Sequence, residues 1–375
     1  MSFDQSIDRR SSFSFKWQRY ADKDIIPLWV ADSEFRCAQP IIDALQQRVA
    51  HGVFGYHLPA EYQPANQAVV RWLKDKHDWQ IEADWIIWTP GVVPAFNVTC
   101  KAWCEAGDKV LVQVPNYPPM LAAPSLNNLI REDVDTIKVN GRWTLDFEQL
   151  EQKAADPKVK LFILCNPMNP TGSVLTADEL ARVERICLAH NVTLCSDEIH
   201  CDLILDESAR HIPAGKLAEI GPKTITLMAA SKTFNVAGLG TSFAVIPDPK
   251  MRNRFASAAS GIMPWVNLMG LVATEAAFTQ CDDWHQAQLT YLRSNLDYLE
   301  KEFSSLSGFE LVRPQATFLA WLDASGLGVT DVHAYMESKG LGPSPGRDFG
   351  WPEFTRINFA CPRGMLEQAM ERLKR

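Results

Sequence analysis

Between residues 85 and 246 the chain alternates short apolar runs with amphipathic stretches. That alternation is the pattern of strands joined by crossover helices in a mostly parallel sheet. The runs fall at residues 85–88, 110–114, 161–164, 192–195, 224–228 and 243–246. Between two of them a helix is signalled by Thr176 and Glu179 at capping-box spacing, followed by Leu180, Val183 and Cys187 on one face. The expected fold class is therefore α/β.

At 375 residues the chain exceeds one ordinary domain of roughly 100 to 200 residues, so a second, smaller unit is expected. Pro40 opens a helix that places Ile41, Leu45 and Val49 on one face, and another helix follows Pro64. A long helical pattern over 283–303 leads away from the sheet region. Beyond it, 310–322 and 355–359 are predicted strands, and 332–338 and 365–373 predicted helices. This later set has no crossover alternation. The expected division is an N-terminal segment over 1–45 packing with the small domain, a large domain over 46–281 and a small α+β domain over 282–375. The Gly- and Pro-rich stretch 342–352 is expected to be a mobile loop near a cleft.

Several function classes are disfavoured. No segment approaches the roughly 18 apolar residues of a membrane span, and residues 1–20 hold no apolar core of signal-peptide length, so a cytoplasmic location is expected. The nine cysteines have no C-x-x-C pair, which fits reduced, buried thiols better than disulfides or a metal site. Net charge is −8 without a Lys/Arg block, so no nucleic-acid partner is expected. The twelve tryptophans, among them Trp72, Trp79, Trp85, Trp88 and Trp103, are expected mostly in the core or a subunit interface.

Three positions at predicted strand ends carry chemistry. Lys232 follows the run 224–228 through Ala229-Ala230-Ser231. A lysine desolvated there has a lowered pKa and more neutral amine to attack an aldehyde; the alternative is an amine that snorkels to solvent or pairs with a carboxylate. Asp197 follows the run 192–195; a carboxylate facing the crevice can hold a pyridine nitrogen protonated, or merely cap a helix. Thr89-Pro90-Gly91-Val92-Val93 joins a strand to a helix, where free backbone amides suit a phosphate, or form a plain connection.

The runs Asn166-Pro167-Met168-Asn169-Pro170-Thr171-Gly172, Ser196-Asp197-Glu198-Ile199-His200 and Ser231-Lys232-Thr233-Phe234-Asn235 resemble fold-type I pyridoxal-phosphate enzymes of the class I/II aminotransferase superfamily, in order and spacing. Leu28-Trp29-Val30-Ala31-Asp32, Phe54-Gly55-Tyr56 and Asn116-Tyr117-Pro118-Pro119 make the chain most similar to the cystathionine β-lyase branch, which includes maltose-regulon-modulator-like proteins. The resemblance implies the pyridoxal-phosphate-dependent transferase fold, a pyridoxal 5'-phosphate cofactor and a homodimer. It implies that Lys232 carries the cofactor as a Schiff base, Asp197 pairs with the pyridine nitrogen, Asn169 bonds the ring hydroxyl and Tyr117 stacks on the ring. Gly91, Val92 and Ser231 would hold the phosphate, with Tyr56 reaching it from the other subunit. His200 would orient the ring, Arg356 would clamp the substrate carboxylate, and Trp29 would be core or substrate wall.

The chain departs from the wider aminotransferase pattern. Gly240 replaces a phosphate-binding arginine, Ala229 stands where serine is frequent, His200 replaces a tyrosine, and Met168 takes a place often held by histidine or glutamine. The activity implied is a carbon–sulfur β-lyase acting on L-cystathionine or related cysteine conjugates. An aminotransferase shares its chemistry as far as removal of the α-proton. A regulatory protein that keeps the cofactor fold for partner binding is the alternative from another class.

Overall fold

Each of the six apolar runs forms a strand in the computed structural model, which describes residues 3–375. In chain order the strands are β1 (Ile26–Leu28), β2 (Ile86–Thr89), β3 (Lys109–Val114), β4 (Ile130–Val139), β5 (Arg142–Leu145), β6 (Val159–Cys165) and β7 (Thr193–Asp197). Then come β8 (Ile225–Met228), β9 (Ser242–Val245), β10 (Glu310–Leu311), β11 (Leu319–Asp323), β12 (Leu341–Pro345) and β13 (Phe354–Asn358).

The larger sheet has eight strands in the order β2-β9-β8-β7-β6-β3-β4-β5. Strands β4, β3, β6, β7 and β8 run parallel. Strand β9 is antiparallel to both β8 and β2, so β2 points the same way as the parallel set. Hence β2, β3, β6, β7 and β8 all end at one edge and β9 begins there. Ligands of open α/β sheets bind beyond that edge.

Burial on both faces explains why these strands appear in the sequence as unbroken apolar runs. On β3, Val110, Val112 and Val114 pack with Phe96 and Phe255 of the helices Val92–Trp103 and Pro249–Ala259. The intervening Leu111 points the other way, toward Phe147, Leu150 and Leu180 of the helices Phe147–Ala154 and Ala177–Ala189. The Thr176–Glu179 capping box forms with both of its hydrogen bonds.

The smaller sheet has the order β1-β12-β13-β11-β10. Only β1–β12 is parallel; the other pairings are antiparallel. Its edge strand comes from the N-terminal segment, which brings residues after Leu28 beside β12 and β13.

Three expectations change. Strands β4 and β5 were not anticipated, because Arg131, Glu132, Asp133 and Asp135 interrupt any apolar run where the sheet edge is partly solvated. The stretch 310–322 is two strands, separated by a break that contains Pro314, which lacks a backbone donor. The stretch 342–352 is no mobile loop: it begins as buried β12 and continues in the helical turn Gly346–Phe349. Gly342 is required there because a Cβ would come within 2.4 Å of the Tyr20 ring.

Seven of the nine cysteines are buried and all are free thiols. Trp72, Trp79 and Trp88 are core residues, while Trp85 and Trp103 are half-buried. Among the described residues, no helix is long and apolar enough to cross a membrane.

Candidate active site

The strand ends of the larger sheet and the N-terminal segment enclose a cavity of about 500 Å³. Every predicted site residue except Tyr56 lines it. The inner end is built on the β2-to-helix turn. Gly91 has φ +155°, an angle that L side chains rarely adopt, and it caps the helix Val92–Trp103. The amides of Val92 and Val93 precede the first intrahelical bond and both residues line the cavity, so the helix N-terminus there suits an anion. Pro94 occupies a first-turn position, where its missing N–H costs no helix hydrogen bond. Ser231 and the start of β9, Thr241 and Ser242, complete this end. Ser242 Oγ is engaged by Thr89, at 2.7 Å from Oγ1 and 3.1 Å from the carbonyl oxygen. Gly240, in place of an arginine, has φ +53° and ψ +53°, a left-handed conformation that a side chain would strain.

Asp197 closes β7. Its Oδ1 accepts the Ile199 amide at 3.1 Å, and no other hydrogen bond reaches the carboxylate among the described residues. Burial raises its pKa to about 7; the Ile199 amide opposes this, Glu198 adds to it, and Lys232 opposes it. The neighbouring Glu198 is committed elsewhere, to Ser196 Oγ, His211 Nε2 and the Ala214 amide, each at 2.8 Å. Asp197 therefore is the acid available to a cationic ring nitrogen, and such a cation would favour its ionised form.

Lys232 follows β8. Its Nζ donates to the Ala31 carbonyl at 2.7 Å. That carbonyl is held in place because Asn358 Nδ2 donates to Val30 O at 2.5 Å and to Asp32 O at 2.6 Å. Burial lowers the Lys232 pKa from the ordinary 10.5 to about 8, with Asp32 opposing, Arg356 reinforcing and Asp197 opposing the shift.

The sign of this shift gives a prediction. Only the neutral amine attacks an aldehyde, and its fraction rises about tenfold per pH unit below the pKa and levels off above it. Stopped-flow uptake of pyridoxal phosphate by cofactor-free protein is expected to accelerate up to about pH 8 and then plateau. A rate still climbing tenfold per unit between pH 9 and 10 would contradict a desolvated lysine.

Arg356, on β13, is buried. It donates to Asn169 Oδ1 at 2.9 Å, to the Trp29 carbonyl at 2.6 Å and to Ser344 Oγ at 3.0 Å. Its carbon Cζ lies 4.7 Å over the Phe349 ring. Burial lowers its pKa to about 10, which still leaves a cation at neutral pH. Its three hydrogen bonds engage three of the five guanidinium N–H groups, and the buried Nε has no partner among the described residues. Tyr117, the cap of the helix Pro118–Leu126, sits in the cavity with its pKa raised by burial. His200 is buried, its pKa pushed well down by burial, and its Nδ1 lacks a partner. It is thus a neutral ring facing the site.

Tyr56 lies outside the cavity and is fully exposed, at 102%. Residues that sequence reasoning missed are Ser344, which holds Arg356, Thr241 and Ser242 at the inner end, and Arg19 and Asp348 at the mouth. Ser344 pairs directly with Arg356 across β12 and β13. No sequence motif signals that pairing.

The chain matches the family Aminotransferase class I and II over residues 23–373. It is 35% identical over 386 residues to cystathionine beta-lyase PatB of Bacillus subtilis (strain 168), covering 100% of this chain and 99% of that protein. The crystal structure of OvoB is 44% identical with a TM-score of 0.96, covering 100% of this chain and 98% of that one. Cystalysin from Treponema denticola, whose structure contains a pyridoxal 5'-phosphate cofactor, is 31% identical with a TM-score of 0.92, covering 99% and 97%. Strand order, cavity and full-length similarity agree: the chain belongs to the class I and II aminotransferase family.

Proposed function

We propose that the protein is a pyridoxal-phosphate-dependent carbon–sulfur β-lyase that cleaves L-cystathionine or related cysteine conjugates to a thiol, pyruvate and ammonia. The observation that carries this reading is the meeting, in one buried cavity, of a desolvated lysine, a buried aspartate and a buried arginine. The relative named cystathionine beta-lyase supports the reaction type.

The cavity fits the cofactor. The unpaired amides of Val92 and Val93, with Ser231, suit its phosphate; Asp197 suits its ring nitrogen; Asn169 and His200 line the same cavity and suit its ring hydroxyl. Lys232 Nζ is the amine that would take the aldehyde, and the Tyr117 ring would cover the flat face. Bound pyridoxal phosphate supplies the sink for the electron pair released at the substrate's Cα.

The protein's own groups then direct the reaction. Arg356 fixes the α-carboxylate, so that the Cα–H bond is presented to Lys232 Nζ. Lys232, as a free amine, would take the α-proton, a positioned transfer worth about 100- to 10,000-fold. The sulfur leaves from Cβ with the bonding pair and is protonated to the thiol. The released three-carbon enamine takes up one water to give pyruvate and ammonia.

Arg356→Ala is expected to lower kcat/KM by about 100-fold or more, because truncation of a buried charged partner costs roughly 2 to 5 kcal/mol. Arg356→Lys should recover little, since an ammonium cannot reproduce the guanidinium fork that spans Asn169, Trp29 and Ser344. Steady-state kinetics on both variants test this; equal activity in the lysine variant would remove Arg356 from the substrate site.

The reading extends to the assembly and the chain's organisation. Tyr56 shares a surface hollow with exposed Phe54 and Trp265, an apolar patch of the kind a partner covers. A homodimer that carries Tyr56 to the partner's phosphate end accounts for it, and a sedimentation mass of one 42.1 kDa chain would exclude it. The two sheets support division into 1–45, 46–281 and 282–375, with β1 joining the C-terminal sheet. The free, buried cysteines support a reducing, cytoplasmic location.

The test of the function is purified, cofactor-loaded protein given L-cystathionine without any keto acid. The lyase releases pyruvate, ammonia and thiol in equal amounts over many turnovers. An aminotransferase stops after at most one keto acid per subunit and resumes only when an acceptor is added.

A further inference from the structure

Outside the groups that hold cofactor and α-carboxylate, the cavity mouth carries a cation and an anion that form no ion pair among the described residues. Arg19, exposed, is among its lining residues, and no acidic side chain pairs with it among the described residues. The guanidinium is shelved on aromatic faces instead, 4.8 Å over Trp29 and 5.5 Å over Tyr20, with His333 Nε2 3.4 Å away. Trp29 is itself fixed, its Nε1 donating to the Lys16 carbonyl at 3.0 Å. Such a shelf holds a guanidinium in place while its N–H edge stays open.

Asp348 lines the same cavity from the turn after β12. Its carboxylate is exposed and makes no hydrogen bond or ion pair among the described residues. The adjacent Arg347 does not neutralise it, because that guanidinium binds both oxygens of Asp331 at 3.1 and 3.2 Å. Phe15, 71% exposed, lines the same cavity with its ring 4.8 Å from Trp29. The mouth therefore offers a cation, an anion and an apolar surface to whatever extends outward from the reacting sulfur.

We propose that this mouth is a recognition site for a leaving group that is itself an amino acid. Arg19 takes its carboxylate, Asp348 takes its ammonium, and Phe15 and Trp29 cover the carbon chain between it and the sulfur. The proposal rests on the β-lyase reading and narrows it: the preferred substrates are cysteine thioethers whose distal half is zwitterionic. A simple alkyl thiol leaves both charges unused. Opposite charges at fixed positions select by partner as well as by strength, since a distal group of the wrong sign meets a like charge.

The experiment measures kcat/KM of the cofactor-loaded enzyme on L-cystathionine, S-propyl-, S-(3-carboxypropyl)- and S-(3-aminopropyl)-L-cysteine, for wild type, Arg19→Gln and Asp348→Asn. Wild type is expected to favour L-cystathionine over S-propylcysteine by about tenfold or more. Arg19→Gln should reduce the carboxypropyl-to-propyl ratio about fivefold and Asp348→Asn the aminopropyl-to-propyl ratio about fivefold, neither moving the other's ratio. These ratios cancel losses from misfolding or cofactor release. Unmoved ratios with active thioether cleavage would overturn the proposal and leave the lyase reading standing; no cleavage of any thioether would overturn both.

Discussion

Lys232→Ala is expected to abolish covalent attachment of the cofactor, and with it the visible absorbance of the loaded protein, while turnover falls by at least about a thousandfold. The protein should still fold. In the cofactor-free state Nζ makes one hydrogen bond, to Ala31 O, and burial works against its charge, so removing it leaves no buried ion pair broken. Thermal stability is expected to stay within about 1 kcal/mol of wild type, measured by circular dichroism. Lys16, whose side chain is 1% exposed, provides a contrast. Lys16 lies 2.7 Å from Glu34 and 3.6 Å from Asp32, within an ion-pair cluster shared with Arg9. Of the two, only Lys232 faces the cavity with an amine that burial drives toward neutrality. Unchanged absorbance and activity in the Lys232 variant would displace it from the centre of the site.

Asp197→Ala is expected to separate attachment from catalysis. The variant should still bind the cofactor, since Lys232, Ser231 and the helix amides remain, but exchange of the substrate α-proton with solvent deuterium should fall by about 100-fold or more. That size corresponds to loss of one preorganised charge against a group whose charge matters in the transition state. Glu198 cannot substitute. It is fully buried on three partners and faces His211 instead of the cavity. The exchange is followed by proton NMR, and a wild-type rate would mean that another group holds the ring nitrogen.

How much of this was legible in the sequence depended on burial. The strands β3, β6, β7 and β8 are covered on both faces, so each stands out as an apolar run, and the residues just past them could be named as site candidates. Strand β4 has charged residues on a partly solvated edge and no such run. Its pairing with β5 was nevertheless signalled by Asn140-Gly141, whose positive φ values of 50° and 79° make a two-residue hairpin turn. Gly342, Pro343 and Pro345 suggested a loop because composition does not reveal that Tyr20 packs on the Gly342 backbone. That misreading hid Ser344. Arg356 was assigned by resemblance alone, because its partners Asn169, Trp29 and Ser344 come from three distant segments. Arg19 and Asp348 belong to no motif; their common feature, a charge without a partner at one cavity mouth, exists only in three dimensions.

The most direct measurement is the position of the cofactor itself. Cofactor-loaded protein is reduced with borohydride, digested with trypsin and analysed by mass spectrometry. The account predicts the added cofactor mass on Lys232 alone, with cleavage blocked after that residue. Label on Lys16 or any other lysine, with Lys232 unmodified, would contradict it.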